Sequence, residues 1–336
     1  MLRIPPPGFV DVGTRALRTV LAGDDTLDPA PAGLIEAVSG DVFGHAVVAA
    51  KLEPIGFDAV ANSIPDPGFR RQLVGAAIAL GLTIHPSDPA VGARTRELAA
   101  ALDVDEPIVA SFERSLQGHR LWMMADFARH SWFGDEVRHE IKDNGIGAFA
   151  RQITRLKGHG TDDNATVARF AELASYPDDS WGRAVANFYA RHHWPLPGQR
   201  GSVPMVTTHH DWVHVAAGYE ASPIGELQVS AFMAAQMPQD SGLSILFFAW
   251  SIYESGMIKV PLSPGAVGTL GSDPANARQV ADALRRGMES GVDLLDLDHW
   301  AYAHRPLAEI REEFGIGPKR MPGPDSAPAT PTLVNA

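Results

Sequence analysis

Apolar residues recur at helical spacing in segment after segment of this chain, and that period predicts an all-α protein built as a multi-helix bundle. Arg15 to Leu21 and Ala32 to Val38 read as short helices, with Pro29 and Pro31 separating them. Arg70 to Leu82 and Val91 to Leu102 repeat the arrangement, with Pro86 and Pro89 between the halves. From Glu106 to Gly158 the spacing is helical again, and Phe112, Leu116, Leu121 to Met124 and Phe127 supply an apolar stripe. His119, His130 and His139 lie on this stretch too far apart to pair within one helix, and a structural or surface role is expected for them. Trp181 to His193 and Val206 to Ala217 follow as helices. The second stops at Gly218, and a further helix is expected to open at Pro223.

Glycines and polar residues cluster in Lys157-Gly158-His159-Gly160-Thr161-Asp162-Asp163, the best candidate for a boundary. At 336 residues the chain exceeds the usual size of one core. Two helical domains are therefore expected, one over residues 1–158 and one over 161–320. The Pro-, Ala-, Ser- and Thr-rich tail, 321–336, is expected to be disordered.

Composition narrows the range of functions. Hydrophobic residues at 45% and charged residues at 20% allow a sizeable core. A formal charge of −12 argues against nucleic-acid partners, which are met by a basic face. The absence of cysteine excludes disulfides, thiolate zinc sites, iron–sulfur clusters and cysteine nucleophiles. The opening residues MLRIPPPGFV carry neither a signal-peptide core nor a transit-peptide helix, which points to the cytoplasm. The longest strongly apolar run, Leu243 to Trp250, falls well short of the roughly 20 residues that span a bilayer. It is expected to be either a buried helix or a lipid-facing surface.

Candidate chemistry concentrates near position 210. His210 and His214, four residues apart, project from one face of the helix that ends at Gly218, so both imidazoles can reach one ion. Such a pair arises readily by chance in a chain with 13 histidines. Asp211 flanks the same face, as a ligand or as an acceptor for a ring N–H. Glu226 lies in the first turn of the helix that opens at Pro223, where Gly225 permits close approach. A mixed nitrogen and oxygen site is expected, suited to a divalent transition metal: Zn²⁺ foremost, with Fe²⁺, Mn²⁺ or Co²⁺ compatible. His209, beside His210, points elsewhere on the helix. No glutamate follows the first histidine as in H-E-x-x-H, which argues against a hydrolytic metalloenzyme.

The segment HDWVHVAAGYEASPIGE resembles the His-Asp-x-x-His, eleven residues, Glu signature of the coenzyme Q (ubiquinone) biosynthesis protein 4 family. Ser180-Trp181-Gly182 with Phe188-Tyr189 is similar to the family's upstream helix. Asp298-His299-Trp300 and the run Leu307 to Ile316 are similar to its C-terminal helix. The resemblance spans about residues 165–320. It implies a helical, membrane-associated protein with metal ligands at His210, Asp211, His214 and Glu226. It also implies a role in quinone biosynthesis, at the carboxylated ring carbon of a polyprenylated hydroxybenzoate. Arg70 to Val104 looks like the TerB-like (tellurite-resistance) helical module, without the acidic Asp-Gly turn of that module.

These readings give two expectations from different classes. The first is a metal-dependent decarboxylase, with or without oxidation, peripheral on the inner face of a membrane and acting on a hydrophobic prenylated molecule. Phe232, Met233, Met237, Phe247, Phe248 and Trp250 would then line a prenyl-tail site, along with Leu243. The second is a non-catalytic lipid-binding or scaffolding protein with a structural metal. Arg191, His192 and His193 are expected at the surface, with a polar head group as their alternative contact. Apolar helices make a homodimer, or contact with other biosynthetic proteins, the expected assembly.

Overall fold

The computed structural model describes residues 2–105, 107–118, 132–260 and 265–321. The stripe residues Leu121 to Met124 and Phe127, together with His119 and His130, fall outside the described residues. So does the tail expectation beyond Met321. Within them every regular element is helical, as the periodicity predicts.

The N-terminal half contains α1 (Pro7–Ala22), α2 (Pro29–Ala37), α3 (Phe57–Ser63), α4 (Pro67–Gly81), α5 (Pro89–Ala101), α6 (Pro107–Leu116), α7 (Trp132–Asn144) and α8 (Ile146–Leu156). The C-terminal half contains α9 (Asn164–Glu172), α10 (Trp181–Arg191), α11 (Met205–Ala217), α12 (Pro223–Gln236), α13 (Gln239–Tyr253), α14 (Thr269–Ser272), α15 (Ala275–Ser290), α16 (His299–Tyr302) and α17 (Leu307–Glu313).

Prolines begin several of these helices where the sequence pattern suggested separators. Pro29 and Pro31 lie in the first turn of α2, and Pro89 opens α5. The first turn needs no donor from its N–H groups and tolerates the fixed φ of proline, so the ring initiates the helix. Asp66, Asp88, Ser180 and Ser222 precede the helices that follow them and accept first-turn N–H groups. α10 ends two residues sooner than expected, and His193 turns to φ 53°.

Helix α12 is the axis of the molecule. Every residue from Gly225 to Gln236 is buried, and the helix packs along both α15 and α13. α13 also meets α4, which packs on α1, while α2 rests on α15. One apolar cluster therefore runs from Ala16 to Ile316 through both halves of the chain. The halves are joined by polar contacts too. Glu254, fully buried at the end of α13, accepts the Leu270 N–H at 2.8 Å and lies 3.2 Å from Nε2 of His85. The proposed boundary at 158–161 coincides with the turn after α8, where Gly158 and Gly160 adopt positive φ. Among the described residues no helix is long and apolar enough to cross a membrane.

Close approach of α12 and α15 depends on Gly287, where a Cβ would sit 2.1 Å from the Phe232 carbonyl oxygen. Gly287→Ala is expected to force the two helices apart and lower stability to urea by roughly 2–3 kcal/mol. Gly8→Ala, with nothing within 4 Å of the added Cβ, is the control and should change stability by less than about 1 kcal/mol. Equal effects would show that the α12–α15 contact is not this tight.

Candidate metal centre

The cluster is assembled from the end of one helix and the start of the next. α11 finishes at Gly218 in the left-handed conformation, and a short loop leads to Ser222, whose hydroxyl accepts the Gly225 N–H at 3.2 Å. Gly225 lies so close to the Glu220 carbonyl that a Cβ there would be 1.8 Å from its oxygen. The tight entry places Glu226, in the first turn of α12, against the His210/His214 face of α11. Arg311 anchors the C-terminal end of α11, its Nε donating to the Ala216 carbonyl at 2.9 Å.

His210, His214 and Glu226 converge, each offering a ligand atom within 4.8 Å of the others. The Nε2 atoms of His210 and His214 stand 3.0 Å apart. The Glu226 oxygens lie 3.2 Å from His210 Nε2 and 3.5 Å from His214 Nε2. His214 Nδ1 is 3.0 Å from the Tyr219 carbonyl, an acceptor only, so this nitrogen carries the hydrogen. In the neutral ring Nε2 of His214 is then the lone-pair donor, and it faces the cluster. His214 and Glu226 are buried, whereas the His210 side chain keeps 30% of its surface exposed.

Asp211 is set beside this trio. Its Oδ1 is 3.4 Å from His210 Nδ1, and its Oδ2 accepts a hydrogen bond from the Tyr189 hydroxyl. The backbone thus brings all four predicted residues together, three of them converging on one point and Asp211 behind His210. Tyr189 figured in the sequence only as part of the upstream-helix resemblance and was not placed at the site: it comes from α10, and nothing in local spacing links it to Asp211. Phe188, next to it, stacks on His214 with ring centroids 5.6 Å apart.

The charges are strongly coupled. Burial disfavours ionised Glu226, yet the facing His214 and His210 outweigh it and hold the carboxyl well below its usual range. Burial likewise opposes a charge on His210, but Glu226 and Asp211 push its pKa up to about 10. Burial and the Asp211 carboxylate raise Tyr189 well above its ordinary value, so its hydroxyl stays a donor. Two imidazoles and a carboxylate held this closely in a largely buried place form a donor set that fits a divalent transition metal.

The remaining predicted residues are placed elsewhere. Phe232, Met233, Met237 and Phe247 are packed in the core, and Phe248 is partly buried against it. The apolar residues expected to line a prenyl-tail site lie on two helices, because the chain turns at Met237-Pro238 between α12 and α13, where a residue before proline favours extended backbone. Arg191 and His192 both pair with Glu220, at 2.9 and 3.1 Å. His209 turns away from the cluster, with Nδ1 3.1 Å from the Leu295 carbonyl oxygen.

No family model and no curated protein matches this chain. Among solved structures it is similar to a protein from Nostoc punctiforme, provisionally described as a ubiquinone biosynthesis protein. Identity is 17%, over 76% of this chain and 99% of that one, with a TM-score of 0.34. At that level of overlap the chemistry of the site rests on its own geometry.

Tyr189→Phe should keep the helices while stripping a donor from a buried carboxylate, lowering stability by about 1–3 kcal/mol in urea titration. No change would mean that Asp211 does not depend on that hydroxyl. His299, buried against Trp181, Trp212 and His209, supplies a second expectation. Burial, with His209 adding to it, pushes its pKa from 6.5 down to about 3. Below pH 6.5 the unfolded chain takes up a proton that the folded one refuses, so stability falls towards the folded pKa. By pH 4, His299→Phe should lose about 3 kcal/mol less stability than the native chain has lost since neutrality. Parallel pH curves would refute the neutral buried imidazole.

Proposed function

We propose that this protein holds a divalent transition metal at His210, His214 and Glu226, with Asp211 accepting from the far ring nitrogen of His210. We further propose that it acts in quinone or prenyl-lipid metabolism, removing the carboxyl group from the ring of a prenylated hydroxybenzoate. The observation that carries the reading is the convergence of two imidazole Nε2 atoms and both Glu226 oxygens, open to solvent only at His210. The long His-Asp-x-x-His…Glu signature supports it independently of the geometry. Zn²⁺ is the ion best matched to this mixed set, and Fe²⁺, Mn²⁺ and Co²⁺ share the preference.

Such an ion supplies Lewis acidity towards a substrate carboxylate or phenolate oxygen. The chain's own residues do the rest. The Tyr219 carbonyl fixes the His214 tautomer, and Tyr189 holds Asp211 so that its other oxygen faces His210. Phe188 covers the His214 ring and keeps water from that side. Cleavage of the bond between ring and carboxyl leaves its electron pair on the ring carbon. Carbon dioxide departs, and solvent on the exposed side of His210 provides the replacing proton. A prenylated substrate resides in a bilayer, so the protein would work peripherally at the inner membrane surface.

A structural ion that only clamps α11 to α12 is the second reading, favoured by the burial of His214 and Glu226. Metal analysis of the purified protein tests the shared premise. About one transition-metal equivalent per chain is expected, with affinity falling 100-fold or more in His214→Ala and Glu226→Gln. Unchanged metal in these variants overturns the site. Carbon dioxide release from a prenylated hydroxybenzoate by the metal-loaded protein supports catalysis, and full loading without release supports the clamp.

A further inference from the structure

We infer that the groove between α1, α4 and α13 is a binding site for a single aliphatic chain, separate from the metal cluster. The space is a cavity of about 220 Å³ lined also by Ala231 and Ala234 of α12, Leu34 of α2 and Leu284 of α15. None of His210, Asp211, His214 and Glu226 lines it. Of the aromatic and methionine residues expected to hold a lipid, Trp250 alone reaches it.

The lining sets the chemistry of the occupant. It is almost wholly apolar, and the hydroxyl of Thr14 donates to the Val10 carbonyl at 2.9 Å. The rim amides are occupied as well. Gln72 Nε2 donates to the Arg3 carbonyl at 2.9 Å, and Gln239 Nε2 donates to the Gly68 carbonyl at 3.2 Å. Water finds few partners in such a place. Apolar cavities of about 150 Å³ stay dry and take up apolar guests, and native interiors rarely keep larger voids without a use.

The shape selects a chain over a ring or a peptide. Lining residues run from Phe69 to Leu80 on α4 and from Gln239 to Trp250 on α13. Each run covers about 16 Å at the rise of a helix. A volume of about 220 Å³ beside runs of that length has room for a slender guest lying along them. A helical peptide about 10 Å across does not fit it. A flexible hydrocarbon does, with its head group at the rim, where Arg71 and Asp240 are both exposed.

Titration of the full-length protein with the fluorescent fatty acid cis-parinaric acid, displaced by dodecanoic acid or dodecanol, tests this. Saturable binding is expected, with both dodecyl compounds competing and naphthalene failing to compete at equal concentration. Ala76→Phe and Ala79→Leu, which fill the cavity, should each weaken parinarate binding by about tenfold or more. Their melting temperatures should be unchanged or raised, since a void is being filled. Absence of saturable binding, effective competition by naphthalene, or unchanged affinity in a folded filling variant overturns the site. His214→Ala should leave chain binding intact. Loss of binding together with metal would refute two separate sites, whereas loss of metal alone bears only on the metal assignment.

Discussion

A helix buried on all sides constrains everything around it, and α12 is such a helix over the whole span Gly225 to Gln236. Its polar side chains need partners inside the protein, because an unsatisfied buried group costs as much as several favourable contacts give. Gln236 donates to Ser290 of α15, and Ser230 accepts the Trp250 indole N–H from α13 at 3.2 Å. Those bonds fix both the rotation of α12 and its depth between its two neighbours. Glycine at 287 lets α15 come close enough to make them.

Rotation of α12 in turn decides where Glu226 points. A carboxylate at the start of a buried helix stays ionised only with cations or hydrogen-bond donors before it, and here α11 presents His210 and His214. The helix N-terminus adds to the same field. The donor cluster is therefore inseparable from the fold, in that the packing that buries α12 also assembles it. Surrounding groups extend the order outward. Tyr189 holds Asp211, Tyr219 gives His214 its acceptor, and Arg286 holds Tyr219 while bonding the Gly317 carbonyl at 2.7 Å.

Further along α12, the side facing α15 stays tightly packed at Gly287, while Ala231 and Ala234 leave space on another side. Ala231 and Ala234 share the lining of an apolar space with Gly75, Ala76 and Ala79 of α4. One helix thus presents a polar cluster at its N-terminal turn and an apolar space about 7–12 Å further along its axis, at the rise of a helix. Charge at the first turn and an apolar space further along give the two ends of one helix different chemistry.

The sequence determined what is local. Helical period marked the elements, Gly218 and Pro223 marked the end of α11 and the start of α12, and the four-residue spacing of His210 and His214 put both rings on one face. The eleven residues between His214 and Glu226 are short enough for turn chemistry alone to define that junction. Tertiary structure decided the rest. Tyr189 reaches Asp211 from another helix, and the apolar run after Glu226 went into the core. The cavity formed from residues more than 150 positions apart. Period and capping act over a few residues and are written in the chain. Which faces meet, and where space remains between them, follows from how all the side chains pack at once.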